Sequence, residues 1–195
     1  TSTYGTGELI ADALDKGCRK FLVCIGGSAT NDAGMGMLQA LGYRFIGTAG
    51  QVLNPCGAAL EDVISILTDD AHPALKESEF IVACDVDSPF CGPEGASSMF
   101  APQKGADAEM VVKLDVGMAS YAKVVENKYG IPIIRIAGAG AAGGMGGTMR
   151  GVLNATLKRG IDMVLDAIDF DHTIAGADLI ITGEGKIDFQ TAKGK

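Results

Sequence analysis

Two aspartates one residue apart, Asp85 and Asp87, directly follow the apolar run Phe80-Ile81-Val82-Ala83-Cys84. Paired carboxylates at a strand end suit a Mg²⁺ ion or general-base work, because Mg²⁺ takes hard oxygen ligands and bridges to phosphates. A turn in which Asp87-Ser88-Pro89 caps the next segment would use the same residues. A second run, Phe21-Leu22-Val23-Cys24-Ile25, stops at Gly26-Gly27 and continues with Ser28, Thr30, Asn31 and Asp32 before a helical stretch, MLQAL. Strand, glycine-rich turn and helix start together make an anion site, since backbone N–H groups converge there and the helix N-terminus adds partial positive charge. The plainer alternative is a βα connection with Asn31 or Asp32 as the helix cap.

Other segments carry polar chemistry less densely. Gln103-Lys104-Gly105 offers an amide and a cation, although a lone loop lysine is commonly just solvated. Thr182-Gly183-Glu184-Gly185-Lys186 with Asp188 could bind phosphate or a polar substrate, or form a chain end without function. Gly138, Gly140 and Gly143 match G-x-G-x-x-G after the strand-like IPIIRIA, with Asp162 some way downstream. That is a dinucleotide fingerprint, weakened by its Ala/Gly-rich surroundings and by the helical look of the segment around Asp162. No Walker pattern G-x-x-x-x-G-K-[ST] occurs.

The elements that must position these groups follow from periodicity. Leu9, Ile10, Ala13 and Leu14 give a helix stopped by Gly17, and Met110 to Val125 repeats apolar residues on one helical face through Gly117. Tyr43–Gln51 reads as a strand and hairpin turn with Val52-Leu53 returning, and residues 60–67 as a short helix plus a β-branched run. Residues 92–104 hold a short helix, Ile131–Ala137 an apolar β-branched run, and Gly138–Gly147 leads a helix to Leu157. Ile161–Ile168 is amphipathic, and Asp178–Thr182 is a third buried strand. Three strands thus end in polar, glycine-rich loops, which is where ligands lie in α/β sheets. The expected class is α/β, a layered domain with one mixed sheet flanked by helices.

Bulk properties narrow the function. A 195-residue chain with 47% hydrophobic and 21% charged residues can build a full core. Net charge −8, no Trp and few aromatics argue against nucleic acid, so any anionic ligand needs a locally positive site. Five cysteines without C-x-x-C spacing read as reduced thiols of a cytoplasmic protein without a zinc site, with Cys24 and Cys84 buried in their strands. His72 and His172 read as isolated loop residues. No apolar run reaches membrane-spanning length.

Taken jointly and in order, TSTYGTGEL at 1–9, GGSATNDAGMGMLQALG at 26–42, ACDVDSPFCGPEGAS at 83–97, FAPQKGA at 100–106, GAGAAGGMG at 138–146 and ADLIITGEGKIDFQTAKGK at 177–195 resemble the bacterial glycerate kinases of the first type. Ala137 stands where that family usually has Pro, and Ser88 where it has Asn. The resemblance implies ATP-dependent, Mg²⁺-assisted phosphorylation of D-glycerate, commonly to 2-phosphoglycerate. It also implies a two-domain enzyme about twice this length, one domain Rossmann-like and the other an α/β insert. Residues 1–195 then form a single α/β domain from that insert side. Its ends, 1–8 and 178–195, would lead toward the other domain, which carries a DSFK-type strand end and a DGGEG loop. The chain alone is expected to be inactive.

On that resemblance Asp85 and Lys104 are the expected catalytic residues. Gly26, Gly27, Ser28, Thr30, Asn31, Gln103, Gly138, Gly140, Thr182, Gly183 and Glu184 are expected to bind substrate or nucleotide. Asp32, Asp87 and Asp188 are the expected metal ligands. Expected partners are D-glycerate, ATP and the other half of the protein, without nucleic acid or membrane. A nicotinamide-dependent oxidoreductase built on Gly138–Gly143, and a non-catalytic binding domain, are the other two readings.

Overall fold

Helix α1, Tyr4–Asp15, leads into strand β1, Lys20–Cys24, and after the glycine loop into α2, Met35–Ala40. Strands β2, Arg44–Gly47, and β3, Val63–Leu67, follow, then β4, Glu79–Ala83. Helices α3, Ala96–Phe100, α4, Ala108–Tyr129, and α5, Ala141–Val152, precede β5, Thr156–Lys158. Helices α6, Gly160–Ala167, and α7, Phe170–Ile174, come last. The computed structural model describes residues 1–181 and 183.

Among the described residues the strands form two sheets rather than the one mixed sheet expected. β1, β4 and β5 make a parallel sheet in the order β1-β4-β5, while β2 and β3 pair antiparallel. The register sets Phe21 beside Phe80 and Val23 beside Val82 on the covered face. The two phenylalanine rings stack at 4.7 Å. Because side chains alternate across a strand, Leu22 and Cys24 fall with Ile81 and Ala83 on the other face. Cys24 is therefore exposed, contrary to the burial expected of it, whereas Cys84 is buried.

Helix α5 packs on β4 and β5, and α4 lies between α5 and β3. Asp107 caps α4 by accepting from the Met110 N–H at 2.8 Å, and Gly130 ends it in the left-handed region. Met118, Tyr121, Ala122 and Val125 bury one face, as the helical spacing predicts, while Met110, in the first turn, stays exposed. Gly117, which costs helix stability, lets α4 approach the Leu60–Glu61 backbone closely, because a Cβ there would lie 3.2 Å from the Glu61 nitrogen. The core continues through Met35, Leu38, Phe45, Ile66 and Phe90.

Three expected elements differ. Ile131–Ala137 is not a strand: Ile133–Arg135 forms a 3₁₀ turn behind Pro132. The third parallel strand is β5, in a stretch expected to be helical; Ala155 and Leu157 pack inward while Thr156 and Lys158 stay exposed. The run expected as a third buried strand, 178–182, is exposed and unpaired through residue 181, with Leu179 77% exposed; Thr182 lies outside the described residues. The histidines are not isolated either. His72 Nε2 lies 3.0 Å from Asp15 Oδ1, and His172 lies 3.8 Å from Asp169.

Candidate active site

The loops after β1 and β4 open side by side, because their strands are parallel neighbours. Residues 25–28 and 83–86 line one cavity of about 240 Å³, with Phe100, Gln103 and Lys104 as a third wall and Ala141-Ala142 at the start of α5 as a fourth. Among the described residues, the N–H groups of Gly26, Gly27 and Ser28 meet no acceptor. A Cβ on Gly26 or Gly27 would meet nothing within 4 Å, so both glycines leave open space beside those donors. Unpaired N–H groups around a concavity hold anions.

Lys104 crosses the cavity edge, donating to Ser28 Oγ at 2.8 Å and to the Thr30 carbonyl at 2.6 Å. Burial lowers its pKa from the ordinary 10.5, and the negative charge of Asp32 opposes that shift. An ammonium half out of water with two neutral acceptors is a cation suited to an incoming anion.

Asp85 is exposed at the rim, and its Oδ1 accepts from the Gly160 N–H at 2.7 Å. Oδ2 has no protein donor among the described residues. Behind Asp85, the Cys84 thiol donates to the Val86 carbonyl at 3.2 Å, and burial pushes its pKa up, so it stays a neutral thiol. Asp87 is exposed close by but is not part of the cavity lining.

Asp32, expected as a metal ligand, is placed for another task. It is fully buried, and its carboxylate accepts from Thr3 N at 2.7 Å, Thr3 Oγ1 at 2.9 Å, Gly34 N at 3.1 Å and Gly36 N at 3.3 Å. Three of those donors converge on Oδ2 and one on Oδ1, so the carboxylate holds the start of α2 and ties the first residues of the chain to the glycine loop. This is the capping alternative, and it does not suit a metal ligand.

The other expected site residues divide. Asn31 is buried below the loop, its amide donating to Ser97 Oγ at 3.1 Å, with Oδ1 left without a partner. Gly138 and Gly140 lie under the Val86–Pro89 turn: Gly140 N donates to the Ser88 carbonyl at 3.0 Å, and a Cβ there would overlap the Pro89 carbonyl. They let two loops cross closely and do not line the cavity. With a 3₁₀ turn instead of a strand before Gly138, the dinucleotide fingerprint lacks its structural context. Gly183 is exposed, and Thr182, Glu184 and Asp188 lie outside the described residues.

Phe100, Ala141, Ala142 and Gly160 carry no side-chain chemistry that would mark them as site residues from the sequence. Phe100 sits inside a recognisable FAPQK segment, but Gly160 falls in a stretch without polar motif or periodicity cue.

Among the described residues no group of three or more His, Cys, Asp or Glu side chains could hold a metal by itself. Asp85 Oδ2 and the Asp87 carboxylate offer hard oxygens nonetheless, and Mg²⁺ is commonly held by one or two carboxylates plus substrate phosphates. The donors present therefore fit that ion.

The sequence profile of the glycerate kinase family matches residues 1–195. The chain belongs to the glycerate kinase family. Over all 195 residues it is 51% identical to a glycerate kinase of Bacillus cereus and 43% identical to a glycerate 2-kinase of Escherichia coli. A crystal structure assigned as a glycerate kinase 2 from Salmonella typhimurium LT2 superimposes with a TM-score of 0.86 at 46% identity, covering 98% of this chain and 51% of that one. The chain spans about half the length of the curated relatives it matches.

Proposed function

We propose that the full-length protein transfers the γ-phosphoryl group of ATP to a hydroxyl of D-glycerate, with this chain supplying one wall of the cleft. The observation that carries the reading is the cavity itself. It holds three unpaired N–H groups, one desolvated ammonium and one carboxylate with a free oxygen.

Phosphoryl transfer asks a protein mainly to position oxygens and neutralise charge. Asp85 Oδ2 accepts the proton of the attacking hydroxyl, leaving the alkoxide electrons for the phosphorus. The N–H groups of Gly26–Ser28 and the Lys104 ammonium hold the anionic end, and Gln103 donates to a substrate oxygen. Mg²⁺, held by Asp87 together with phosphate oxygens, would supply charge neutralisation. Regiochemistry favouring 2-phosphoglycerate is carried over from the Escherichia coli relative, which is named a glycerate 2-kinase.

The test is coupled ADP release with D-glycerate, ATP and Mg²⁺, run on this chain and on the full-length gene product, with the phosphorylated product assigned by ³¹P NMR. Activity in the long form alone is the expected result. Activity in neither, with NAD(H) binding to either, would return the oxidoreductase reading.

A further inference from the structure

The backbone at the start of α6 meets the pocket at one atom pair. Gly160, the first residue of that helix, donates its N–H to Asp85 Oδ1 at 2.7 Å. Nothing about the chain path requires glycine there, since Gly160 is not among the residues with positive φ. What glycine supplies is room. A Cβ at 160 would lie 3.0 Å from Asp85 Oδ2 and 3.3 Å from Oδ1, in tight contact with both carboxylate oxygens.

We infer that Gly160 is the positioning residue for Asp85: its N–H fixes one carboxylate oxygen, and its missing side chain leaves the other free to face the substrate hydroxyl. The inference rests on Asp85 being the base. It also gives β5 a purpose. This three-residue strand pairs with Ile81–Ala83 of β4, and its Lys158 carbonyl accepts from the N–H of Cys84, the residue before Asp85, so it carries the helix start to the carboxylate. The partial positive charge of the α6 N-terminus strengthens the contact, because a carboxylate is a favoured neighbour of a helix start. An alternative is that Asp85 merely fastens α6, a helix with no buried residue. The two roles differ in what a substitution moves.

Gly160→Pro separates them. Proline is well tolerated at the first helical position, and Arg159 already has the extended backbone (φ −67°, ψ 134°) that a following proline requires. The change removes the N–H and puts a ring carbon where Oδ1 sits, so Asp85 must turn away. In the full-length protein, Gly160→Pro should lower kcat by about tenfold or more, with KM for D-glycerate within about twofold and Tm nearly unchanged. Gly160→Ala, which keeps the N–H and nudges the carboxylate, should lower kcat by roughly two- to fivefold.

Wild-type kcat in Gly160→Pro would overturn the inference. So would a kcat loss accompanied by a Tm fall of more than about 5 °C, the mark of a contact that only fastens the helix. A second readout does not depend on the substrate. In ¹H–¹⁵N spectra of the full-length protein, the Gly160 amide proton should move upfield in Asp85→Ala, and an unmoved resonance would also overturn the inference. If the wild-type protein releases no ADP with glycerate, the kinase reading fails, and the amide shift still decides whether Gly160 holds Asp85.

Discussion

Lys104 must be a cation for the proposed chemistry, yet its surroundings work against the charge. Its pKa is lowered because burial penalises the ammonium. In the window between that lowered value and 10.5, the unfolded chain holds more protons than the folded one, so stability rises with pH there. Below the window both states are protonated and the desolvation cost is paid in full. Thermal unfolding of wild type and Lys104→Met, compared from neutral pH upward, should show the wild type gaining on the variant as pH approaches 10.5. A constant difference would mean that the ammonium is not desolvated. In the full-length enzyme Lys104→Met should also lower kcat by about 10²–10³, the usual loss for removing one charge-stabilising donor. Asp85→Asn keeps shape and removes the proton acceptor, so kcat should fall about 10²–10⁴ with a much smaller change in KM for glycerate. A kcat near wild type would end the base assignment. The sequence made these two residues legible as candidates because a carboxylate follows an apolar run and a lysine follows a glycine-rich segment. It could not decide between the metal-ligand and the helix-cap readings of Asp32, because only the fold shows that Thr3, 29 residues earlier, donates twice to its carboxylate.

At the scale of elements, the cradle depends on what supports it from below. Ala142, Gly143 and Gly144 at the start of α5 all have positive φ, and the Gly143 carbonyl accepts from the Ala33 N–H at 3.0 Å. A Cβ at Gly143 would overlap the Thr30 carbonyl and come within 2.6 Å of the Asn31 Cα. Gly143→Ala should therefore cost about 2–5 kcal/mol, combining a left-handed alanine with overpacking against backbone. Gly105 also has positive φ, but its missing Cβ faces open space, so Gly105→Ala should cost only about 1–2 kcal/mol. Urea unfolding of the two variants checks the ranking, and equal losses would show that the approach at Gly143 relaxes freely. The same glycine cluster shows what pattern reading can and cannot do. It revealed a glycine-dependent loop but suggested a nucleotide fingerprint, because G-x-G-x-x-G is equally the signature of two loops crossing at van der Waals distance. β5 escaped notice for a related reason. Three residues are too few for a period, and the strand exists through its pairing with β4.

For the whole molecule, the telling feature is apolar surface that nothing described covers. Leu22, on the open face of the parallel sheet, is 60% exposed. Ile161, Val164 and Ile168 recur at three- and four-residue spacing along α6 and its C-cap, and all are exposed, as are Leu179, Ile180 and Ile181. The sequence marks 161–168 as amphipathic and 178–182 as a buried strand, but burial depends on a neighbour that periodicity does not identify. The relatives are about twice as long as this chain, and under the proposed function the rest of the full-length protein covers these faces. An apolar face left in water binds hydrophobic dyes and promotes association. The 195-residue chain should accordingly bind ANS and elute above its monomer mass of 20.0 kDa in size-exclusion chromatography with light scattering. Leu22→Lys combined with Val164→Lys should reduce both effects, and the full-length gene product should show little of either. Strong ANS binding by the full-length protein would mean that nothing in it covers these faces. Silence from the short chain would mean that they are too dispersed to act as one surface.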